Sequence, residues 1–347
     1  MLRSASSDTR LRGRKQRKLV SPVVLITATM LTAWISVTFE FFPGFCSSAS
    51  AQSSSFRFLA WADTKTGTAT LTNESKQAIA LNPVFSIYPG DVCTSGPDAS
   101  CFATWKTALN GGGTNTMFDK TFASRGNHDS SGGSFWQSAF EISATTSRIG
   151  AINYTALTQD MTYSFDYENS HFVGIDVLGD VTLMPAAAIA WLDNDLTDAE
   201  NRGLTHAFLF WHGPIYSLAE HCCATAPSSL VNVLNKHSII SATFHGHEHV
   251  VAYTHMDSSR ITGLTHAFEE FVSGDAGAGP DTARPDRYDW WIGNSHGFVM
   301  VDVSGQTFTV SAYALGNTNP VKVWNFTNST GSDNQAPAAP SYLRILR

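Results

Sequence analysis

The sequence predicts an α/β protein in which β-sheets are sandwiched between helices, and two observations carry this prediction. Short apolar runs recur at fairly even spacing, and stretches suited to helices lie between them. The composition is globular, because 43% of the 347 residues are hydrophobic and only 15% are charged. That balance excludes a disordered chain, a coiled coil and a collagen-like rod, and the length suits one large domain or two small ones.

The apolar runs are of strand length. The predicted buried strands are Phe56–Ala62, Val84–Tyr88, His171–Val177, Ala207–Trp211 and Ile239–Phe244. The predicted helices cover about residues 72–80, 101–109, 186–198 and 227–236. Residues 249–315 are expected to be rich in strands, including a hairpin of Val299–Val303 and Phe308–Tyr313. No internal repeat and no domain boundary is visible in the sequence between 56 and 315.

Residues 1–51 have the form of a signal peptide. A basic cluster precedes a stretch without charge from Leu19 to Phe39, and Ala49-Ser50-Ala51 predicts cleavage before Gln52. The alternative is an uncleaved anchor, since an apolar stretch of this length can span a bilayer. In both cases the basic end stays inside and the rest is exported. We therefore expect a secreted or extracytoplasmic protein that meets a membrane only if the segment is uncleaved.

The exported part is strongly acidic. After residue 51 the chain carries 15 basic and 27 acidic residues, a net charge of −12. A surface of this sign lacks the broad basic footprint that nucleic-acid binding requires, so no nucleic acid is expected as a stable partner. A local cationic or metal site can still attract a phosphorylated small molecule.

The cysteines agree with export, because disulfides are the rule in oxidising compartments. Cys46 lies in the leader, and four cysteines remain, which allow three pairings. A Cys93–Cys101 bond closes a short loop and leaves a rare vicinal Cys222–Cys223 bond. Alternatively, each member of the adjacent pair bonds one of the earlier cysteines. Zinc binding by the four is the weaker alternative, because no Cys-x-x-Cys pair is present.

Metal-ligand side chains follow five of the predicted strand or loop segments. The motifs are Asp63, Gly90-Asp91, Gly126-Asn127-His128-Asp129, Trp211-His212-Gly213-Pro214 and His245-Gly246-His247-Glu248-His249. Ligands gather where the strands of helix-covered sheets give way to loops. Carboxylate, amide oxygen and imidazole together suit a pair of divalent transition metals. Taken singly, each motif has an ordinary structural explanation, such as a turn aspartate or a packed core histidine, but five in this order favour a metal site.

The order of these motifs resembles that of the calcineurin-like metallophosphoesterases, the superfamily that includes purple acid phosphatases. The resemblance covers about residues 56–315. It extends to the segments Tyr163–Tyr167, His171–Asp176 and Val272–Ala278, which are similar to the purple-acid-phosphatase-like branch. It implies a four-layer αββα sandwich, with two mixed β-sheets face to face and helices outside, in a catalytic domain at 52–320.

The resemblance also implies an activity and a role for each motif residue. The chain would be an exported metal-dependent phosphoesterase that hydrolyses phosphomonoesters or phosphodiesters by attack of a metal-bound water. The implied metals are two iron, zinc or manganese ions. The implied ligands are Asp91 as the bridge, Asn127, His212 and His247 on one ion, and Asp63 and His249 on the other.

Three further residues receive roles from the same resemblance. His128 would stabilise the transition state or protonate the leaving oxygen, and Asp129 would orient its imidazole. Arg125 would contact phosphate, as in the Arg-Gly-Asn-His form of the protein Ser/Thr phosphatases, with an ordinary surface arginine as the alternative.

Lys65 departs from the family pattern, which usually has Asp-x-His where this chain has Asp63-Thr64-Lys65. An ammonium group has no lone pair and cannot ligate a metal. Purple acid phosphatases also lack that histidine but supply a tyrosine, and the matching position here is Thr94. Three outcomes stay open. Asp63, Asp91 and His249 hold the ion without further help, the Lys65 ammonium replaces one ion and leaves a single metal, or Lys65 points away.

A different class of function is the alternative. A weakened metal site is also typical of a degenerate pseudoenzyme that serves as an extracellular phospho-ligand binding or adhesion module, and a structural zinc protein is a more remote possibility. The segment 321–347 agrees with a modular relative. It contains a linker-like stretch at Gly331–Pro340, followed by residues that look like the opening strand of a fibronectin type III module.

Overall fold

The computed structural model describes residues 55–216, 219–221, 225–281 and 287–328. The strands are β1 Ser55–Ala60, β2 Phe85–Pro89, β3 Thr121–Ser124, β4 Ile152–Thr158, β5 Thr162–Tyr167, β6 Ser170–Gly174, β7 His206–Phe210, β8 Ile240–His245, β9 Val251–Met256, β10 Phe268–Ser273, β11 Trp290–Ile292, β12 Gly297–Ser304, β13 Thr307–Ala314 and β14 Lys322–Thr327. The helices are α1 Thr68–Ala80, α2 Ala99–Leu109, α3 Gly133–Ala139, α4 Ile142–Ile149, α5 Ala186–Asn201 and α6 Ser228–Lys236.

The strands form two mixed sheets. One has six strands in the order β14-β13-β12-β1-β2-β3, in which β1, β2 and β3 run parallel. The other has eight strands in the order β11-β9-β10-β8-β7-β6-β5-β4, in which β6, β7, β8 and β10 run parallel. The remaining neighbours pair antiparallel, which makes both sheets mixed, as predicted.

An aromatic core fills the space between the sheets. Phe58 of β1 and Phe85 of β2 have ring centroids 5.6 Å apart. Phe172 of β6 lies edge-on to both, at 5.2 Å and 5.0 Å, and Phe208 of β7 lies 5.2 Å from Phe58. All four rings are fully buried, and edge-to-face contacts of this kind add to the hydrophobic gain. Because two rings come from each sheet, the sheets are stacked face to face.

Helices cover the two outer faces. On the eight-stranded sheet, Leu192 of α5 and Leu230 of α6 join a buried cluster with Leu209 of β7. On the six-stranded sheet, Trp105 of α2 packs 5.2 Å from Tyr88 of β2. The layers therefore run helix, sheet, sheet, helix, which confirms the predicted α/β sandwich.

The predicted elements are present with shifted ends. The first strand ends at Ala60 rather than Ala62, because the chain crosses to the other sheet, where Ala62 N–H donates to the Ser273 carbonyl at 2.8 Å. The predicted helix at 101–109 begins two residues earlier, since the Asp98 side chain accepts the backbone N–H groups of the first turn. The predicted hairpin is confirmed as β12 and β13.

The six-stranded sheet continues past residue 320, where the catalytic domain was predicted to end. Strand β14, Lys322–Thr327, pairs antiparallel with β13, and Phe326 packs 4.9 Å from Phe308. The sequence hid this strand because Val323 faces solvent while the polar Asn325 and Thr327 interrupt the apolar pattern. The prediction of a linker and fibronectin-like stub over 321–347 is therefore wrong for residues 322–327, and the rest of that segment from 329 onward lies outside the described residues.

A disulfide joins Cys93 and Cys101, which is one of the pairings that the sequence allowed. The other two cysteines of the exported part, Cys222 and Cys223, and the predicted signal peptide at 1–51 lie outside the described residues. Within the described part of the chain, no helix combines the length and apolar character needed to cross a membrane.

Glu74 of α1 is a buried acid. Its side chain is fully buried, and neither carboxyl oxygen has a hydrogen-bond partner among the described residues. Burial raises the pKa of Glu74 well above its usual value, and the nearby Asp275 raises it further. The folded protein therefore holds Glu74 protonated at pH values where the unfolded chain has released that proton.

We expect Glu74→Gln to gain stability relative to the unchanged protein as pH rises. The folded-state pKa is raised, so its contribution to stability is fully present below about pH 4 and is lost as pH rises toward the folded pKa. The substituted amide carries no such proton, and the relative gain at pH 8 should reach about 1–3 kcal/mol. Thermal unfolding from pH 4 to pH 8 measures it. Glu141→Gln, at a side chain that is 70% exposed, is the control and should show no such trend.

Candidate metal centre

The metal-type side chains meet at one end of the sandwich, in loops that follow parallel strands of both sheets. Those loops follow β1, β2 and β3 in one sheet and β7 and β8 in the other. The predicted ligands on them are Asp63, Asp91, Asn127, His212, His247 and His249. The structure brings all six together, at the carboxyl ends of the parallel strands, where such sites are commonly found.

One group of donors surrounds His212. Its Nε2 lies 3.0 Å from Oδ1 of Asn127 and 3.4 Å from Oδ1 of Asp91. Nδ1 of His247 lies 3.2 Å from the same Asn127 oxygen. Two imidazoles, one amide oxygen and one carboxylate thus converge on a single point.

A second group surrounds His249. Its Nε2 lies 3.7 Å from Oδ1 of Asp63 and only 2.8 Å from Nζ of Lys65. The same Nζ lies 3.4 Å from Oδ2 of Asp91. The interpretation in which Lys65 points away from the centre is therefore wrong.

Backbone carbonyls orient the imidazoles. Nδ1 of His212 donates to the Pro89 carbonyl at 2.7 Å, and Nδ1 of His249 donates to the Gly279 carbonyl at 3.0 Å. Because Nδ1 donates to a carbonyl, Nε2 of each ring faces the centre, where it can bind a metal once it carries no proton. This arrangement is typical of histidines that bind metals.

The backbone of these loops is strained. Asp63, Asp91 and His247 have φ values of 63°, 57° and 71°, and Lys65 has 49°. Left-handed conformations at residues other than glycine cluster at functional sites, where surrounding contacts hold them. Gly126 is required beside them, since a Cβ at that position would overlap the Asp91 carboxylate.

Burial and neighbouring charges shift the pKa values of the acidic and histidine side chains at the centre. Burial raises the pKa of Asp63 to about 8. Burial alone would lower the pKa of His212, but the charges of Asp91 and Asp63 outweigh this effect and raise it to about 9. For Asp91 the effect of burial is reversed by the positive charge of His212, which holds its pKa below the usual range. Protons on Asp63 and His212 thus offset the buried negative charge of the centre, and a metal cation can offset that charge instead.

Two buried carboxylate oxygens at the centre indicate whether its residues fit a metal ion. Oδ1 of Asp63 and Oδ2 of Asp91 are buried and have no hydrogen-bond partner among the described residues. Such oxygens are costly unless a cation or donor satisfies them. Ligand atoms of Asp63, Asp91 and His212 lie within 4.8 Å of one another. The donor set of carboxylate, amide oxygen and imidazole fits a divalent transition metal.

The expected role of Asp129 is not what the structure shows. Its buried carboxylate accepts backbone N–H groups, from Asp91 at 2.8 Å and from Gly126 at 3.0 Å, and does not contact the His128 ring. A 3₁₀ turn at Asn127–Gly132 directs the side chain back toward the β2 loop. Asp129 therefore fixes the ligand loops. The His128 ring is held by a hydrogen bond between its Nδ1 and the Thr94 carbonyl.

Arg125 is held by a partner that the sequence did not suggest. Its guanidinium forms a bidentate pair with Asp176, with distances of 2.9 Å and 2.6 Å. Because this contact engages two of its N–H groups and the side chain is 12% exposed, Arg125 is not the ordinary surface arginine of the alternative, while its contact with phosphate stays a prediction.

Sequence reasoning also missed two residues behind His249. Oδ2 of Asp281 accepts the His249 backbone N–H at 2.8 Å, and Nε2 of His221 lies 3.7 Å from the same oxygen. Ligand atoms of these three residues lie within 4.8 Å of one another. The only available signal was the acidic residue shortly after the segment Val272–Ala278.

An open cleft of about 830 Å³ leads to the centre. Asn127, His221 and His247 form its inner end. The segment 176–185 contributes the lining residues Asp176, Val177, Leu178, Gly179, Asp180, Thr182, Leu183 and Pro185, and Ser130 completes it. The wall is thus largely apolar, with carboxylates as its charged groups outside the centre.

The sandwich and its ligand cluster define a metal-binding α/β domain. Within that class, the chain belongs to the calcineurin-like phosphoesterase family, because the sequence profile of that family matches residues 56–251. Members of this family generally bind divalent metals and act on phosphorylated substrates. The resemblance seen in the motifs is thereby confirmed. No curated protein sequence matches the chain.

Solved structures share the fold at low sequence identity. The chain is similar to a purple acid phosphatase from yellow lupin (Lupinus luteus) seeds, with a TM-score of 0.63, 14% identity and 82% of this chain covered. It spans 58% of the lupin chain. A dimetal phosphatase from Danio rerio has a TM-score of 0.53 and 16% identity, with 79% of this chain and 99% of that chain covered. GAP50, the anchor in the inner membrane complex of Plasmodium, has a TM-score of 0.55 and 12% identity, with 79% and 89% covered.

Proposed function

We propose that this protein is an exported phosphoesterase that uses transition-metal chemistry to hydrolyse phosphate esters of small molecules. The observation that carries the proposal is the convergence of Asp91, Asn127, His212 and His247 at the end of an open cleft, beside buried oxygens of Asp63 and Asp91 that have no hydrogen-bond partner among the described residues. Family membership supports phosphoester chemistry at that cluster.

The four residues around His212 are the proposed ligands of an iron, zinc or manganese ion. Such an ion supplies Lewis acidity toward the phosphoryl oxygens and a water nucleophile at neutral pH. The protein's own part is to hold the donors in place. The carbonyl of Pro89 fixes the ring of His212, and the His128 backbone N–H donates to Oδ1 of Asp91 at 3.0 Å.

His128 is placed to handle the proton of the leaving group. Its Nδ1 is held by the Thr94 carbonyl, so its Nε2 faces Oδ2 of Asp91 at 4.0 Å, and the side chain is 33% exposed. In its protonated form, Nε2–H can donate to the leaving oxygen of an ester bound at the centre. The hydrogen bond to the Thr94 carbonyl orients the His128 ring. The family resemblance had implied this orienting role for Asp129.

The cleft favours an ester with an uncharged leaving group. Val177, Leu178 and Leu183 offer apolar surface beside the centre, and Leu183 is 75% exposed. The charged groups of the described lining, outside the histidines, are Asp176 and Asp180, and Asp176 holds Arg125. Because Arg125 offsets the charge of Asp176, Asp180 is the carboxylate that repels a second anionic group on the substrate. We infer that polyphosphates are disfavoured.

The substrate inference has a direct kinetic test. We expect kcat/KM for p-nitrophenyl phosphate or bis(p-nitrophenyl) phosphate to exceed that for ATP by at least about tenfold, since about 1.4 kcal/mol of repulsion suffices. Asp180→Asn should narrow this difference by removing one cleft charge. Equal or faster hydrolysis of ATP would contradict the inference, and no hydrolysis of any ester by metal-loaded protein would contradict the proposed function.

Export is supported by the predicted signal peptide and by the Cys93–Cys101 disulfide, since such bonds persist in oxidising compartments. We expect the full chain to be secreted with Gln52 as its first residue, which N-terminal sequencing of the exported protein measures. A variant with Ala49 and Ala51 replaced by bulky residues is the matched control and should retain the leader. A cytoplasmic chain that still begins at Met1 would contradict export.

A non-enzymatic role is the second candidate, and Lys65 is the observation that favours it. Its ammonium lies inside the ligand cluster, beside His249 and Asp91. A lysine at this position is compatible with a degenerate centre that no longer binds all of its metal ions. GAP50, a structural neighbour, is described as an anchor. In this case the protein binds phosphorylated ligands without turnover, and Asp91→Asn leaves that binding unchanged.

A further inference from the structure

Lys65 is embedded among the groups that would otherwise face a metal ion. Its side chain is 16% exposed, and the Asp91 side chain that it contacts is fully buried. Nζ lies 2.8 Å from Nε2 of His249 and 3.4 Å from Oδ2 of Asp91. Asp63 is adjacent, with its Oδ1 3.7 Å from the same His249 nitrogen.

We propose that the Lys65 ammonium takes the position of one ion of a metal pair, so that the centre holds a single metal ion. The proposal rests on the proposed metal centre and specifies its composition. Asp91, Asn127, His212 and His247 would hold the remaining ion. Oδ1 of Asp91 lies 3.4 Å from Nε2 of His212, and its Oδ2 lies 3.4 Å from Nζ of Lys65.

Hydrogen bonding at His249 excludes a metal ligand role while Lys65 is present. Nδ1 of His249 donates to the Gly279 carbonyl, so its Nε2 offers the only lone pair of the ring. That lone pair accepts a proton of the Lys65 ammonium at 2.8 Å. One lone pair cannot serve both an ammonium and a metal ion.

The loop that carries Lys65 keeps the ammonium in place. Lys65 has φ 49°, a conformation that is unusual for a long side chain and must be held by its surroundings. The N–H groups of Thr64 and Lys65 both donate to the Asp91 carbonyl, at 3.0 Å and 3.2 Å. The Thr64 hydroxyl is in turn hydrogen-bonded to the Tyr88 hydroxyl.

The charge of the Lys65 ammonium is a second reason to expect one metal ion rather than two. A metal ion held by Asp63, Asp91 and His249 would lie within contact distance of the ammonium, and like charges at such a distance repel strongly in a buried site. The ammonium instead offsets the charge of Asp91, the carboxylate that both positions share.

The test is the number of metal ions per chain. Elemental mass spectrometry on the full chain, purified without chelator and loaded with manganese or zinc, should give one ion per chain. Lys65→His should raise this number to two, because imidazole supplies the missing ligand. Lys65→Met replaces the lysine by an uncharged side chain of similar length. In a calorimetric titration this variant should bind a second ion with lower affinity than Lys65→His does. Lys76→His, at an exposed position on α1, is the control for an added histidine and should stay at one.

The outcomes separate this proposal from the proposed function. Two ions per unchanged chain, or one ion in folded Lys65→His and Lys65→Met, would overturn the replacement of a metal by Lys65 while leaving the phosphoesterase proposal in place. No bound metal in any variant would overturn the metal centre and with it the proposed function.

Discussion

Asp91→Asn is expected to lower kcat/KM for phosphate esters by about 10³-fold or more, the size of loss that follows removal of a key electrostatic group. The Asp91 carboxylate contacts both parts of the centre. Oδ1 lies 3.4 Å from Nε2 of His212, and Oδ2 lies 3.4 Å from Nζ of Lys65. An amide keeps the first oxygen but replaces the second with an NH₂ group, which cannot ligate a metal or pair with an ammonium.

The fold should be retained in this variant. The amide oxygen can still accept the His128 backbone N–H, a bond now made by Oδ1 at 3.0 Å, and the side-chain volume is unchanged. Steady-state kinetics and elemental analysis on the same preparation measure the effect, with circular dichroism to verify folding. Asp198→Asn, at an exposed position on α5, is the matched control and should leave both readouts unchanged. Full activity in Asp91→Asn would place the chemistry elsewhere.

The sequence could predict much of this centre because its residues sit at fixed places relative to strands. Asp91 follows β2, and His212 follows β7, and each such position is specified by a short apolar run that ends in a polar residue. The parallel pairing of those strands with their neighbours brings the strand ends together. The local pattern of an apolar run followed by a polar residue therefore predicted which residues, distant in the sequence, lie together at the centre.

Side-chain direction could not be predicted in the same way. Asp129 is adjacent to His128, which suggested a contact between them, but the 3₁₀ turn points its carboxylate at the backbone of Asp91 and Gly126. Arg125 pairs with Asp176, 51 positions away, and nothing in the local pattern of either residue indicated the other.

Burial of isolated polar groups was equally hidden. Glu74 lies on a helix with polar neighbours, where a solvated face is the ordinary expectation, yet it is fully buried. Asp281 and His221 lie in loops without strand periodicity, so only the tertiary structure places them behind His249. In each case the missing information is which loop or helix packs against which.

His128→Ala is expected to lower kcat by about 10²-fold to 10⁴-fold for an alkyl phosphate while leaving the bound metal unchanged. His128 is not among the proposed ligands. Its ring is held by Thr94 and presents Nε2 toward the centre. An alkoxide leaving group needs a proton, whereas p-nitrophenolate does not, so the loss should be much smaller for p-nitrophenyl phosphate.

The dependence on the leaving group is what distinguishes a proton donor from a structural residue. Equal losses on both esters, or loss of metal, would show that His128 acts through the ligand loops, as Asp129 does, since its backbone N–H also contacts Asp91. His128→Gln can keep a donor to the Thr94 carbonyl without a titrating proton. Activity on the alkyl ester in that variant should stay as low as in His128→Ala, because orientation of the loop alone does not supply the proton.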